Sequence, residues 1–157
     1  MSAMKVCTIV AALFAAGSVC AMDSSSPEPK EPKDPKLEQA REAIGNKDWG
    51  RAQEAMRDLV ARNPQNAGYH NLFAYSMRMG PKPSMDLVFR HYNEALRLDP
   101  KHRGAHEYIG EAYLMSGNVA KAKEHLAQLD RLCTFGCEEY TRLKKDIAAY
   151  EQQHAKK

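Results

Sequence analysis

The stretch RGAHEYIGEAYLMSGNVAKAKEHLAQL, residues 103–129, contains two segments in which apolar and small residues recur every three to four positions. That spacing predicts one buried face on a short helix in each segment. The tripeptide Ser-Gly-Asn at 116–118 separates them and is a turn signal. We therefore expect a helical hairpin in which two small residues, Gly110 and Ala122, face each other where the helices cross.

A single hairpin of this kind cannot bury its own apolar face, so further copies are expected. A shift of 34 residues takes Ala122 to Val88, and a further shift of 36 takes Val88 to Ala52. The first helices of the second and third copies are offset by 36 rather than 34, which indicates a two-residue insertion in the turn 80–83. The sequence thus predicts three repeats, at 37–66, 67–102 and 103–136.

This pattern of small residues framed by aromatic and aliphatic ones resembles the tetratricopeptide repeat, and the resemblance covers residues 37–150. It implies an all-α protein, folded as a right-handed α-solenoid of three hairpins with a C-terminal capping helix at 138–150. In that last helix Lys144 stands where the third repeat has Gly110. A charge there indicates that no further helix packs on it, as expected of a solubilising cap.

The first 36 residues have a different character. Residues 1–21 have one charge, an apolar run and small residues at 19–21, which is typical of a secretory signal peptide of an exported bacterial protein. Residues 22–36 are rich in proline and charge and predict a disordered linker. We expect a periplasmic location, with secretion or retention of the signal as a membrane anchor as the open alternatives.

Composition excludes several function classes. The 157-residue chain has a net charge of +3, which falls to +2 if the signal peptide leaves, and this is too weak for a nucleic-acid-binding surface. No Gly-rich phosphate loop, serine nucleophile elbow or H-E-x-x-H motif is present. We expect neither an enzyme nor a cofactor, no contact with membranes beyond the export signal, and a monomer.

Two cysteines, Cys133 and Cys137, remain after signal cleavage, and an even pair in an exported protein predicts a structural disulfide. The alternative is a metal-binding or thiol-redox accessory protein that uses these cysteines and nearby histidines. Most histidines, however, recur with the structural period, which favours a role in the scaffold and no metal site. The recurring pairs are His70 with His106 and His91 with His125.

The resemblance also implies a non-enzymatic scaffold or adaptor that binds a protein or peptide in a concave groove lined by the first helix of each hairpin. Some family members grip a C-terminal carboxylate, and Asn71 matches one position that they use. Two nearby glutamates weigh against such a clamp here. In the first repeat the register leaves open whether Arg41 or Glu42 faces the groove. The candidate groove residues are Asn71, Tyr75, Arg78, Glu107, Glu111 and Met115.

Overall fold

The computed structural model describes residues 34–155, which form seven α-helices and no strand. The predicted signal peptide and the predicted linker up to residue 33 lie outside the described residues. The helices are α1 (Pro35–Gly45), α2 (Trp49–Arg62), α3 (Ala67–Met79), α4 (Met85–Leu98), α5 (Arg103–Met115), α6 (Val119–Leu132) and α7 (Glu138–His154).

Side-chain caps fix where most of these helices begin. Asp48 and Asn118 each accept a hydrogen bond from the backbone N–H three residues further on, which satisfies a free donor of the first turn. Helix α1 begins two residues before the predicted start at 37, because Asp34 caps the N–H of Lys36 and Pro35 suits the first turn. Helix α7 continues four residues past the predicted end at 150.

The helices pack as three hairpins followed by α7, with each helix against the next along the chain. Three successive apolar clusters run through the stack. The first two are shared between neighbouring hairpins and the third between the last hairpin and α7. The periodic positions Ala52, Val88 and Ala122 are all fully buried. The all-α helical-repeat solenoid predicted from the sequence is confirmed.

One packing contact was not predicted. A Cβ added to Gly110 would lie 2.6 Å from a methyl carbon of Leu143 in α7, so the nearest neighbour of this glycine is the capping helix. Ala122 in α6 is not the residue that Gly110 faces most closely. The period shows that a small residue is needed on α5, but it does not show which neighbouring helix needs the space.

The junction between α6 and α7 is bridged by a disulfide. Cys133 and Cys137 are bonded, with their Cα atoms 5.6 Å apart, and Gly136 in the loop has a φ of 83°, which favours glycine. The bridge therefore ties the end of the third hairpin to the start of the cap. None of the helices within residues 34–155 is both long and apolar enough to cross a membrane.

Candidate functional site

The candidate groove residues lie on α3 and α5, which pack side by side, and α7 packs next to α5. We call the surface formed by α3, α5 and α7 the first-helix face. Tyr75 and Tyr108 form its aromatic centre, with ring centroids 4.8 Å apart. Trp49 at the start of α2 adds an edge contact to Tyr75, with 6.1 Å between the centroids. Both tyrosines are partly exposed, so a ligand can reach their rings.

Arg78 lies beneath these rings and is 6% exposed. Its Nη2 donates to Glu111 at 2.5 Å, its Nε to the Tyr92 hydroxyl at 3.3 Å, and its Nη1 lies 3.6 Å from the Met115 sulfur. Burial opposes the charge on Arg78, but Tyr92 and Glu111 outweigh it and hold the pKa of Arg78 above its ordinary value. All three guanidinium nitrogens are therefore engaged within the protein.

Glu107 forms a second ion pair that joins α5 to α7. It is 1% exposed, and Arg142 reaches it with Nε at 2.6 Å and with Nη2 at 3.2 Å, one contact to each carboxylate oxygen. This two-point geometry is the strong form of an arginine–carboxylate contact. Burial nevertheless raises the pKa of Glu107, and Arg142 counteracts that effect. Burial likewise raises the pKa of Glu111 against the opposing effect of Arg78.

Asn71 is the residue among those described whose buried side chain has a polar atom without a hydrogen-bond partner. It is 5% exposed, and its Oδ1 makes no hydrogen bond with any described residue. Asn71 lies on α3 and faces the start of α5, where its Nδ2 would be 3.6 Å from a Cβ added to Gly104. An unpaired buried acceptor costs about 1–3 kcal/mol, so a donor that reached this oxygen would recover that cost.

Met115 marks the other end of the face and is 56% exposed. It borders a cleft of about 480 Å³ between α5 and α7. The cleft combines apolar side chains with two carboxylates, and its lining includes Arg78, Glu111, Leu114, Met115, Asp146 and Tyr150. Asp146 forms no ion pair with another described residue, so the cleft has one carboxylate more than it has cations to balance.

The structure thus brings Tyr75, Arg78 and Glu111 together and places the other predicted residues around them. Sequence reasoning missed Tyr108 and Arg142, which are 34 residues apart and therefore equivalent in the repeat. Each reaches back from its own helix to the preceding first helix, Tyr108 to Tyr75 and Arg142 to Glu107. The equivalent positions of Tyr108 and Arg142 in the repeat were the feature of the sequence that could have identified both residues.

Four of the six histidines form two pairs away from this face. His70 and His91 approach within 2.9 Å at their Nδ1 atoms, and His106 and His125 do so at 3.0 Å. Within residues 34–155 no group of three or more histidine, cysteine or acidic side chains is arranged to hold a metal ion. The two bridged cysteines have no thiol to offer, so the described residues give no support to the metal or redox alternative.

The fold and the first-helix face define the class of protein, an α-solenoid built from helical hairpins. The family follows from the sequence, because the tetratricopeptide repeat model matches residues 37–76 and 90–135. The chain belongs to the tetratricopeptide repeat family. Among proteins with curated functions, none matches the sequence significantly.

Solved structures similar to this chain share its fold at low identity. The TPR2B domain of yeast Sti1 in complex with pHsp70 is 21% identical, with a TM-score of 0.65 over 76% of this chain and 95% of that one. The Yersinia enterocolitica translocator chaperone SycD is 16% identical, with a TM-score of 0.66 over 75% and 82%. A tetratricopeptide repeat protein from Thermus thermophilus is 21% identical, with a TM-score of 0.63 over 78% and 66%.

Proposed function

We propose that this protein is a non-enzymatic adaptor that binds an extended segment of a partner protein in a concave groove formed by the first-helix face. The tetratricopeptide repeat family is in general a family of protein-interaction scaffolds, which supports this class of function. Two similar structures support the same class of function, since the Sti1 domain is in complex with pHsp70 and SycD is a secretion translocator chaperone.

The observation that carries the proposal is the unpaired oxygen of Asn71. Buried side-chain acceptors almost always have partners, and the exceptions call for an explanation. A backbone N–H of an extended peptide would supply the missing donor whatever the peptide's side chains are. The partly exposed rings of Tyr75 and Tyr108 would then hold apolar side chains of the same segment.

The charges on the face favour an internal segment over a C-terminal carboxylate. Every nitrogen of Arg78 already has an acceptor inside the protein, and Arg142 is committed to Glu107. A ligand carboxylate that replaced Glu111 on Arg78 would leave the partly buried Glu111 without its cation, which is costly.

The cleft beside Met115 adds a preference at the end of the groove. Its lining combines the unbalanced carboxylate of Asp146 with the exposed thioether of Met115. Methionine adapts its shape to different apolar partners. We therefore expect the bound segment to place a lysine or arginine, flanked by an apolar residue, in this cleft.

Photocrosslinking on the native protein tests the groove. A benzophenone amino acid at Met115 should capture a partner, and the same group at Asn93, an exposed residue of α4, should not. Replacing Asn71 with alanine should lower the yield at Met115 about fivefold, because one hydrogen bond to the ligand is lost. Equal capture from both sites, or a yield that is indifferent to Asn71→Ala, would contradict the proposal.

We also propose that the protein acts as a monomer after export, in the periplasm. The apolar run and small residues of the first 21 positions support export, and the Cys133–Cys137 bridge suits an oxidising compartment. Sequencing the N-terminus of the native protein tests this, since we expect a start near Met22. A native chain that begins at Met1 would overturn the cleavage.

A further inference from the structure

A second cavity lies on the side of α3 that faces away from the first-helix face. Helices α2 and α4 each pack against α3, and a crevice of about 410 Å³ separates their side chains. Phe73 and Met77 of α3 line it, whereas Tyr75 and Arg78 of the same helix belong to the first-helix face. We call this cavity the insertion crevice, because the turn 80–83 forms one of its walls. Its lining includes Gln53, Arg57, Phe73, Met77, Lys82 and Leu87.

The crevice is open because the second hairpin departs from the repeat. At the positions of Gln53 and Met77, the space between α4 and α6 has Phe89 and Tyr113, each 36 residues later. Those two rings stack with their centroids 4.6 Å apart and fill that space. A different cavity, of about 310 Å³, lies between α4 and α6 beside Pro100 and His106, and its lining includes the carboxylate of Glu124.

The inserted turn, residues 80–83, is the second feature that distinguishes the insertion crevice from the space between α4 and α6. A Cβ on Gly80 would lie 2.8 Å from Nε2 of Gln53, so the turn passes directly over α2. Gln53 is held there by a hydrogen bond from its Nε2 to the carbonyl oxygen of Ser76 at 3.0 Å. The turn then brings Lys82 to the rim, where no equivalent residue exists in the third hairpin.

The insertion crevice combines positive charge with apolar surface. Arg57 and Lys82 line the crevice, neither forms an ion pair with another described residue, and no lining residue is a carboxylate. Between them the crevice has an apolar lining of Phe73, Met77 and Leu87, and Leu87 is 40% exposed. A ligand that matches this surface is both apolar and negatively charged.

We propose that the insertion crevice docks an acidic segment of a partner protein, with an aliphatic or aromatic side chain between α2 and α4 and a carboxylate beside Arg57 and Lys82. At 410 Å³ the cavity is near the lower end of the roughly 300–1,000 Å³ of small-molecule pockets, which suits one or two inserted side chains. This surface is separate from the groove and does not depend on what the groove binds.

Three blocked peptides serve as probes for the full, isotope-labelled chain in NMR titrations: acetyl-GELFEG-amide, acetyl-GQLFQG-amide and acetyl-GKLFKG-amide. The acidic peptide should shift the signals of Leu87, Met77 and Gln53. The neutral peptide should bind about fivefold more weakly, because it cannot form the exposed ion pairs with Arg57 and Lys82.

Charge reversal separates this surface from a general apolar contact. The double variant R57E/K82E should bind the acidic peptide about tenfold more weakly and should prefer the basic one, because the sign of the rim is inverted. Both positions are exposed, so the melting temperature should be unchanged. Leu87→Gln should weaken all three peptides, since it removes apolar surface from the crevice.

Asn71→Ala is the control for the other face and should leave the titration unchanged. Signals that move only on the first-helix face would overturn the proposal. So would equal binding of the acidic and neutral peptides, or no binding of the acidic peptide at millimolar concentration. None of these outcomes bears on the groove, which the crosslinking experiment tests by itself.

Discussion

The second hairpin, α3 and α4, and the third, α5 and α6, contain the same buried histidine pair but close the space beside it differently. In each pair the Nδ1 atoms meet, at 2.9 Å for His70–His91 and 3.0 Å for His106–His125. In each, Nε2 of the first histidine lies 3.0 Å from the carbonyl oxygen of the proline six residues earlier. Beside the third hairpin's pair lie stacked aromatic rings, whereas beside the second hairpin's pair lies the insertion crevice.

This comparison distinguishes contacts that recur with the repeat from positions at which the two hairpins differ. A carbonyl oxygen can only accept a hydrogen bond, so Nε2 of the first histidine carries the proton of that ring. Its Nδ1 therefore accepts a hydrogen bond from the Nδ1–H of the second histidine. That arrangement recurs because the same two positions meet in both hairpins. Residues such as Gln53 and Lys82 are under no such constraint, and there the second hairpin gains a surface that the third lacks.

The largest effect should come from Gly110, which the second hairpin replaces with Ala74. Gly110→Leu should destabilise the protein by about 3 kcal/mol, because the buried side chain of Leu143 leaves no room for it. Chemical denaturation measures this, and Gly50→Ala is the matched control, since an added Cβ there meets nothing closer than 3.7 Å. A wild-type midpoint for Gly110→Leu would show that α5 and α7 do not pack this closely.

The next effect concerns the disulfide, which the third hairpin has and the second lacks. Replacing Cys133 and Cys137 with serine should destabilise α7 by about 2 kcal/mol, the loop-entropy value for so small a ring. Hydrogen exchange should therefore quicken in α7 first and change little in α3, because a solenoid's stability is roughly a sum over neighbours. Uniform loosening of all helices would show that the cap and the repeats unfold as one unit.

The histidine pairs make stability depend on pH. Burial, with His106 nearby, lowers the pKa of His125 from 6.5 to about 4, against the opposing effect of Glu124. Burial and His70 likewise lower the pKa of His91. The unfolded chain therefore binds more protons between pH 6.5 and pH 4. The stabilisation is complete above pH 6.5 and is lost as the pH falls towards 4.

Because His125 keeps some contact with solvent, we expect a loss of about 1 kcal/mol at the third hairpin's pair over this range. Urea unfolding at pH 7 and pH 4.5 measures it. The double variant H106Q/H125Q should flatten the dependence more than H70Q/H91Q, which serves as the matched comparison. Identical pH dependence in wild type and H106Q/H125Q would show that the pair does not titrate in this window.

Individual residues show how much of the fold could be predicted from the sequence. The period correctly predicted that Ala52, Val88 and Ala122 are buried, because core positions must recur when one hairpin packs on the next. It identified the insertion at 80–83 and the equivalence of the histidines. It did not predict that His70 would meet His91, because that contact joins two different helices and leaves no trace in the period.

The candidate site likewise has features that the sequence predicted and features that it did not. The family resemblance placed Tyr75 and Arg78 on the first helix of the second repeat and Glu111 on the first helix of the third. It could not show that Arg78 is buried with every nitrogen engaged. Whether a charged side chain serves a ligand or the protein depends on contacts between helices. The local pattern does not report those contacts, and for the same reason it did not predict that Leu143 packs against Gly110.

The smallest effect should come from Lys144, which occupies on α7 the position that Gly110 occupies on α5. The internal helix has a small residue there because another helix covers it, whereas Lys144 is exposed and its Nζ lies 5.4 Å from the centre of the Tyr140 ring. Lys144→Leu adds apolar surface beside an aromatic ring, at an exposed position that no other helix of residues 34–155 covers, which favours self-association.

One leucine buries little area, so the association should appear in sedimentation velocity only at about 100 µM or above, with the fold unchanged. Lys144→Gln removes the charge without adding apolar surface and should stay monomeric. If both variants associate alike, the lysine acts by charge repulsion and not by limiting apolar area. If neither associates, the outer side of α7 is too polar for one leucine to create an interface, and the cap does not rely on Lys144.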